Sequence, residues 1–489
     1  MKVSTSSKKE PKRNLGKPSK KEKELRTKIS ELKKENRNLR KCCKLMKRSR
    51  DAWKLKNKKK ADKIKNLKRK IAGGDKPKRH HYGLEMINLC TLLRILGGCS
   101  YRSIRRILEI LQFCRILEMQ RIPCANTVEN WVSKLGLYQL KNVTKTKSSQ
   151  EVCLIIDENL KPGNERVMLM LLTPSKKLKT GATTYEDIEV LFMGGEKSWT
   201  GEKIEQRIRD LIGETKLKIT HILSDEDSKL KKATRLLDVP HLPDISHAIA
   251  KCLRKTFEKD EAYQAMIKLI SGYAHKCVNR DLTYLRPPKQ RVKARFMNQK
   301  PIICWALTIL SRFDKLNQKE QLFFKELKGH QAMLIRLKRC IDLSDQIIHP
   351  LKEEGLNEAT MKNFKQRIKQ VSKEYGEDKL IVCFVRHLEK YAEQYASFLE
   401  NKKGCYNVSS DIIESLFGKQ KMLMSSNPLT GLSLLDLELP VHCIGKDKIS
   451  SLIKPALEKF FVTNLSEWRR VYSSGNQALI RKLFFGKRA

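Results

Sequence analysis

The chain has 489 residues, too many for one compact core, so two to four domains are expected. Its 102 Lys/Arg against 54 Asp/Glu leave a formal charge of +48, a field that favours polyanions, with nucleic acid first among them. No apolar leader opens the sequence, and no stretch approaches the roughly 20 apolar residues of a membrane span. The expectation is therefore a cytoplasmic or nucleoid protein with no membrane partner and no small-molecule cofactor. Fourteen cysteines show no CxxC pair and no zinc-finger spacing, so they are expected as free thiols serving as small apolar residues.

Charge is concentrated at the start. Residues 1–80 hold 33 Lys/Arg against 8 Asp/Glu, a net of +25, so about half the excess sits in a sixth of the chain. Residues 1–20 are Ser-, Lys- and Pro-rich without apolar period and read as a disordered basic tail. Over 21–74 the spacing predicts a basic coiled coil or long helix. Leu25, Ile29, Leu32, Asn36, Leu39, Cys43 and Met46 alternate steps of four and three, with the polar Asn36 where register devices sit. The alternative is a single charged helix lying along DNA or along its own protein.

Residues 80–140 predict a helical, helix-turn-helix-like domain. A first helix covers about 83–96. A second is capped by Ser100 and carries Ile104, Ile107, Leu108 and Leu111 on one face. A third opens at Pro123–Thr127, carries Val128, Trp131, Val132 and Leu135, and is expected to stop at Gly136. The Asn126–Lys134 stretch is the expected recognition helix, with Asn126, Thr127 and Lys134 as DNA contacts. Arg102, Arg105 and Arg106 add an exposed basic face. The plain alternative is a three-helix packing module.

Residues 150–258 switch to strand character. Strands are expected over 151–157, 167–173, 189–193, 219–225 and 239–242, with a turn at Pro162-Gly163-Asn164. Helices follow caps at Thr200 and Asp244, and another spans 228–237. The first of these should end at Gly213. The order β-β-β-α-β-α-β-α is that of a ribonuclease H-like core. Residues 259–403 lose the strand signal and predict a large all-α insertion, with one ambiguous apolar run at 380–384. Residues 404–440 return to the core with a helix, and 441–489 read as a basic helical tail.

Two of the strands end in acids, Asp157 and Asp225, and a third acid, Glu414, lies on the later helix. Carboxylates at the ends of buried strands are costly unless cations compensate them. Two divalent ions acting on a phosphate backbone need such ligands from several elements. Each acid also has a bland explanation: Asp225 can cap the helix at Ser228, and Asp411 competes with Glu414 one turn away. Glu158 and Glu226 are neighbours that period two turns to the opposite face. Asp244 and His247 can stand behind the acids or merely cap a helix. Lys421 shares a helix face with Glu414 and can hold a phosphate. Trp199 is expected to fill a core or serve a cap.

The strings "LIIDEN", "ILSDEDSKLKKA", "PDISHAIAKCLRK" and "SSDIIESLFGKQK" resemble DDE transposases of bacterial insertion sequences. The likeness extends over "GCSYRSIRRILEIL" and "IPCANTVENWVSKLGLYQL", and thus over most of the chain. It implies a retroviral-integrase-type, RNase H-like α/β core with Asp157, Asp225 and Glu414 as catalytic and metal-binding acids. It implies two Mg2+ or Mn2+ ions, double-stranded DNA at element ends and target, and a homo-oligomer in the active complex. Lys421 matches a lysine seven residues after the family's glutamate. The family's tyrosine and arginine, seven and four residues before it, are replaced by Asn407 and Ser410. Two other functions remain open: a non-catalytic DNA-binding protein, such as a repressor or domesticated transposase, and a nuclease on the same fold.

Overall fold

A computed structural model describes residues 20–73, 76–142, 151–160, 165–177, 179–289, 295–423, 432–473, 481 and 484–486. The expected tail at 1–20 lies almost wholly outside the described residues, as does the turn at 162–164. The protein is mostly helical around a small mixed sheet, and among the described residues no helix is long and apolar enough to cross a membrane.

Helix α1 (Lys20–Gly73) runs unbroken for 54 residues, about 80 Å at 1.5 Å per residue. Its heptad positions stand in solvent: Leu25, Ile29, Leu32, Leu39 and Met46 are all exposed. Helices α2 (Leu84–Ile95), α3 (Tyr101–Phe113) and α4 (Ala125–Asn142) follow. Ser100 caps α3 by accepting from the Ser103 amide at 3.0 Å, and Ile104 and Leu108 face the core.

Helix α4 corrects the sequence expectation twice. It does not stop at Gly136 but continues to Asn142. Gly136 is there for contact: a Cβ would sit 1.8 Å from the Leu437 carbonyl oxygen. Nor is α4 an exposed recognition helix. Trp131, Val132 and Leu135 are buried and Lys134 is 6 % exposed, so Lys134 cannot reach DNA in this arrangement. Burial pushes its ammonium below the ordinary lysine range. Asn126 stays exposed at the helix start and Thr127 half-buried.

The sheet has the order β3-β2-β1-β4-β5, formed by β1 (Glu151–Leu160), β2 (Arg166–Pro174), β3 (Glu189–Glu196), β4 (Lys218–Ser224) and β5 (His241–Pro243). Neighbours β1, β2 and β3 are antiparallel, whereas β4 and β5 run parallel to β1. Continuous apolar runs bury both faces, and period two sorts them. Val152, Leu154 and Ile156 pack under α5 (Gly201–Thr215) and α6 (Ser228–Leu237), while Cys153 and Ile155 face α7 (Ile245–Phe257) and the helices beyond. Helix α5 outlasts Gly213 and ends at Thr215, where Lys216 adopts the left-handed conformation and closes the last turn. Trp199 fills the first face, donating from Nε1 to the Arg166 carbonyl at 2.9 Å.

The expected insertion is helical throughout its regular part: α8 (Glu261–Lys276), α9 (Lys300–Ser311), α10 (Gln318–Phe324), α11 (Gln331–Glu353), α12 (Glu358–Glu374) and α13 (Lys379–Leu399). The ambiguous run 380–384 lies inside α13. These helices share one apolar core with the sheet, through Phe257, Tyr263, Phe384, Leu388 and Tyr395. Helix α14 (Asp411–Leu423) then crosses back onto β1.

Over the described residues 441–473 the chain is not a tail. Helices α15 (Glu438–His442), α16 (Lys446–Lys459) and α17 (Val462–Tyr472) pack around α4. Ile449, Ile453, Ala456 and Leu457 share a core with Met86, Ile87, Leu108 and Trp131. Two chain segments far apart in sequence thus build one helical body. A buried ion pair joins them: Arg94 Nε and Nη2 donate to the Glu438 carboxylate at 2.9 Å each, and Tyr101 Oη adds a third donor.

The two helical glycines read as stops supply a paired prediction. Gly136→Ala should destabilise the protein by about 1–3 kcal/mol or more, because the Leu437 backbone must move. Gly213→Ala meets nothing within 4 Å and should stabilise it by up to about 1 kcal/mol. Denaturant unfolding of both variants checks this; equal effects would refute the close-contact role of Gly136.

Candidate active site

The parallel register pairs Ile156 with Ser224, so the next residues, Asp157 and Asp225, leave adjacent strands side by side, roughly 4.7–4.9 Å apart in strand spacing. Asp157 has the parity of Cys153 and Ile155, and Asp225 that of Leu223, so both acids point to the face covered by α7 and α14. Each is half-buried and binds a local amide: Asp157 Oδ1 accepts from Glu158 N at 2.7 Å, and Asp225 Oδ1 from Asp227 N at 3.1 Å. Asp225 is not the cap of α6. That place belongs to Asp227, which accepts from Lys229 N at 2.9 Å.

The third acid arrives from α14. Glu414 Oε1 lies 2.9 Å from His247 Nε2, on the first turn of α7. Behind them sits Asp244, fully buried. It caps α7 by accepting from His247 N at 2.8 Å and accepts from Ser410 N at 2.6 Å and Ser410 Oγ at 3.0 Å. Asp244 and His247, expected either behind the acids or as a helix cap, join α7 to α14, with Asp244 as the cap of α7. Asn407 shapes the approach to α14, its side chain bonded to Ser409 N and O at 3.1 Å each.

Electrostatics set these acids apart. Burial first, then the neighbouring Asp225 charge, pushes the Asp157 carboxyl up to about 7. Burial also raises Asp225. The hydrogen bond to Glu414, reinforced by Asp244 and Asp225, lifts the His247 imidazole to about 9, so it is a cation at neutral pH. Among the described residues no Lys or Arg forms an ion pair with Asp157 or Asp225. The rival acids are all paired. Glu158 holds Arg166 and Lys229 at 2.7 Å each, Glu226 holds Lys231 and Lys251, and Asp411 holds Lys352. Asp411 is thereby drawn to α11 and away from Asp157.

The donor set fits Mg2+ or Mn2+ in kind, being carboxylate oxygens from two strand ends and one helix. As they stand, among the described residues no three acidic, imidazole or thiol groups are arranged to enclose an ion, and Glu414 is engaged with His247. Lys421 is exposed two turns beyond Glu414, and Gly418 faces open space. On the helical body, Arg102, Arg105 and Arg106 are exposed along α3, with Arg105 bonded to Glu109 at 2.9 Å. The basic face of this body is thus α3, not α4. Sequence reasoning missed the His247–Glu414 contact; the Asp244-to-His247 cap spacing was its visible trace.

No family model matches the chain, and no curated protein matches it.

A carboxyl raised from 3.8 to about 7 costs the folded protein nothing while protonated and most when ionised. Asp157→Asn should therefore stabilise the ion-free protein, with the gain growing from pH 4 to pH 7 and level above. At 1.36 kcal/mol per pH unit its ceiling is about 4 kcal/mol. Thermal unfolding across that range, in chelator, checks it; a variant less stable at pH 8 would contradict the assignment.

Proposed function

We propose that the chain is a DNA transposase of the DDE type, cutting and joining DNA ends through Asp157, Asp225 and Glu414. The observation that carries this is the pair of acids at two adjacent strand ends, with a third acid on a distant helix near enough for its charge to be felt at Asp157, in a chain of charge +48. The strand order β3-β2-β1-β4-β5, with three antiparallel strands followed by two parallel ones, supports an RNase H-like core. The three acids would hold the divalent ions, which supply Lewis-acid activation of the phosphodiester and its attacking oxygen. The chain's own groups orient this chemistry. Asp244 fixes α14 against α7, and His247 holds the Glu414 carboxylate in place through Nε2. Asp157, whose carboxyl is pushed up to about 7 in the ion-free protein, would give up its proton as a divalent ion binds.

Exposed arginines on α3 and the Lys-rich α1 would bind duplex DNA, and the bare heptad of α1 would pair with a second copy in the active complex. One observation favours a second reading, a DNA-binding protein without catalysis: in this arrangement Glu414 is already ion-paired with His247.

Cleavage and strand transfer with Mn2+, on DNA carrying the ends that flank the coding region, separate the two. Asp157→Asn, Asp225→Asn and Glu414→Gln should each lose at least about 100-fold, near 2.7 kcal/mol of barrier. Asp411→Asn, which loses only its Lys352 partner, should stay within a few-fold of wild type. Binding without any cleavage by the wild-type chain would establish the second reading.

Metal addition supplies a further outcome. Mg2+ at 100 times its Kd should stabilise the wild type by about 2.7 kcal/mol and Asp157→Asn by much less, read as a shift in unfolding midpoint. Equal shifts would remove Asp157 from the metal site.

A further inference from the structure

A second charged cluster lies immediately beside the acids. Glu226 follows Asp225, about 3.8 Å away between Cα atoms. Its carboxylate faces a pocket of about 220 Å³ between α6, α7 and α13. Lys231 reaches it from α6, Lys251 Nζ from α7 at 3.0 Å, and Tyr391 Oη from α13. Two more lysines line the same space: Lys255, one turn after Lys251 on α7, and Lys390, beside Tyr391 on α13. Neither has a carboxylate partner among the described residues. Four ammonium groups thus meet one carboxylate, a local excess of +3 (4 − 1).

Such an arrangement is electrostatically incomplete. Like charges gathered from three helices repel, and Glu226 offsets only one of them. The imidazole of His387, on the same face of α13 as Lys390 and Tyr391, registers the field. Burial and then the charges of Lys255, Lys390 and Arg386 hold it below the ordinary histidine range. The pocket is smaller than the roughly 300–1,000 Å³ of drug-sized ligand sites, which suits a single phosphate group and not a whole nucleotide. Lysines are point-charge phosphate binders, and Tyr391, Gln394 and neutral His387 add hydrogen-bonding groups.

We infer that this pocket is an anion subsite that holds one backbone phosphate of the DNA strand being processed at Asp157 and Asp225. The inference rests on the proposed function for the identity of the strand. The placement gives the subsite its use: one phosphate anchored beside Glu226 fixes where a neighbouring phosphodiester falls along the same strand, relative to Asp225. Glu226 itself holds the lysine ends in position and is not a metal ligand here.

The test uses the full chain in chelator, so that binding is read apart from cleavage. The probes are a duplex oligonucleotide, the same oligonucleotide single-stranded, and inorganic pyrophosphate. Lys255 and Lys390 are exposed, so the double variant Lys255→Gln/Lys390→Gln keeps the buried contacts of Glu226. A strand phosphate in the pocket predicts that the slope of log K against log salt becomes shallower in the variant. The change is about 0.9 for each phosphate no longer neutralised on duplex, and about 0.7 on single strand. It also predicts that either oligonucleotide raises the titration midpoint of His387, followed by its ring proton resonances, in the wild type but not in the variant. An unchanged slope, or a His387 midpoint that DNA does not move, overturns the inference. A midpoint moved by pyrophosphate but by neither oligonucleotide overturns it too, and assigns the pocket to a free anion. A chain that passes these tests yet never cleaves DNA would sink the proposed function and leave the subsite standing.

Discussion

The arrangement of the site depends on one buried carboxylate, Asp244. Burying a charge costs several kcal/mol unless hydrogen bonds replace its water. Asp244 is fully buried and finds three donors: the His247 amide, the Ser410 amide and the Ser410 hydroxyl. Its own amide donates to the Ser224 carbonyl at 2.9 Å, and the next amide, Ile245, to Val408 at 2.9 Å. Three elements are tied at one point: the end of β4, the start of α7 and the start of α14. Asp225 follows Ser224, His247 lies in the first turn of α7, and Glu414 lies in the first turn of α14. The chain between Asp244 and Ser410, a separation of 166 positions, can therefore be an entire helical region without loosening the site. Without this knot, the helix that carries the third acid would keep its apolar contacts and its side-chain bonds to His247, Lys352 and Tyr185, but lose the buried backbone tie to β4 and α7.

That geometry matters because of how the chain distributes charge. With 102 Lys/Arg for 54 Asp/Glu, an acid on this protein has cations in easy reach. Glu158, Glu226 and Asp411 each take one or two lysines or an arginine. Asp157 and Asp225 do not among the described residues, although Lys229 pairs with Glu158, one residue from Asp157. The strand pleat decides this: odd-numbered Asp157 turns toward α7, and even-numbered Glu158 turns toward α6 with its lysines. The result is a pair of desolvated carboxyls with raised proton affinity, flanked by a belt of neutralised ones.

Local features of the sequence were sufficient for the strands and most caps. Apolar runs bounded by turn residues mark β1, β2 and β4, and Ser100, Thr200 and Asp244 cap the helices their positions announce. What failed had its cause elsewhere in the chain. Gly136 looks like a stop because its reason for being glycine is Leu437, 301 residues later (437 − 136). Ile449, Ile453, Ala456 and Leu457 show helical spacing, but nothing in it reveals that their partner is α4 and not solvent or DNA. Lys134 reads as a DNA contact on an exposed helix face, yet α4 buries it. Asp157, Asp225 and Glu414 were legible as types at strand and helix ends, with Glu414 preferred to Asp411 on the resemblance, whereas the Lys352 partner of Asp411 was not legible.

Asn407 and Ser410 stand where the resemblance to transposases leads one to expect tyrosine and arginine, and both are buried. Asn407 bends the backbone through Ser409, and Ser410 spends its amide and hydroxyl on Asp244. Both positions are committed to holding the chain, so neither brings a charge to the acids. A positive group is nonetheless present, supplied by a different element: His247, raised to about 9, bonds Glu414 from α7. An arginine would be charged at every pH, but an imidazole near 9 gives up its charge when a stronger cation displaces it. Under the proposed function, the contact that fixes Glu414 in the ion-free protein is one that a divalent ion would have to displace.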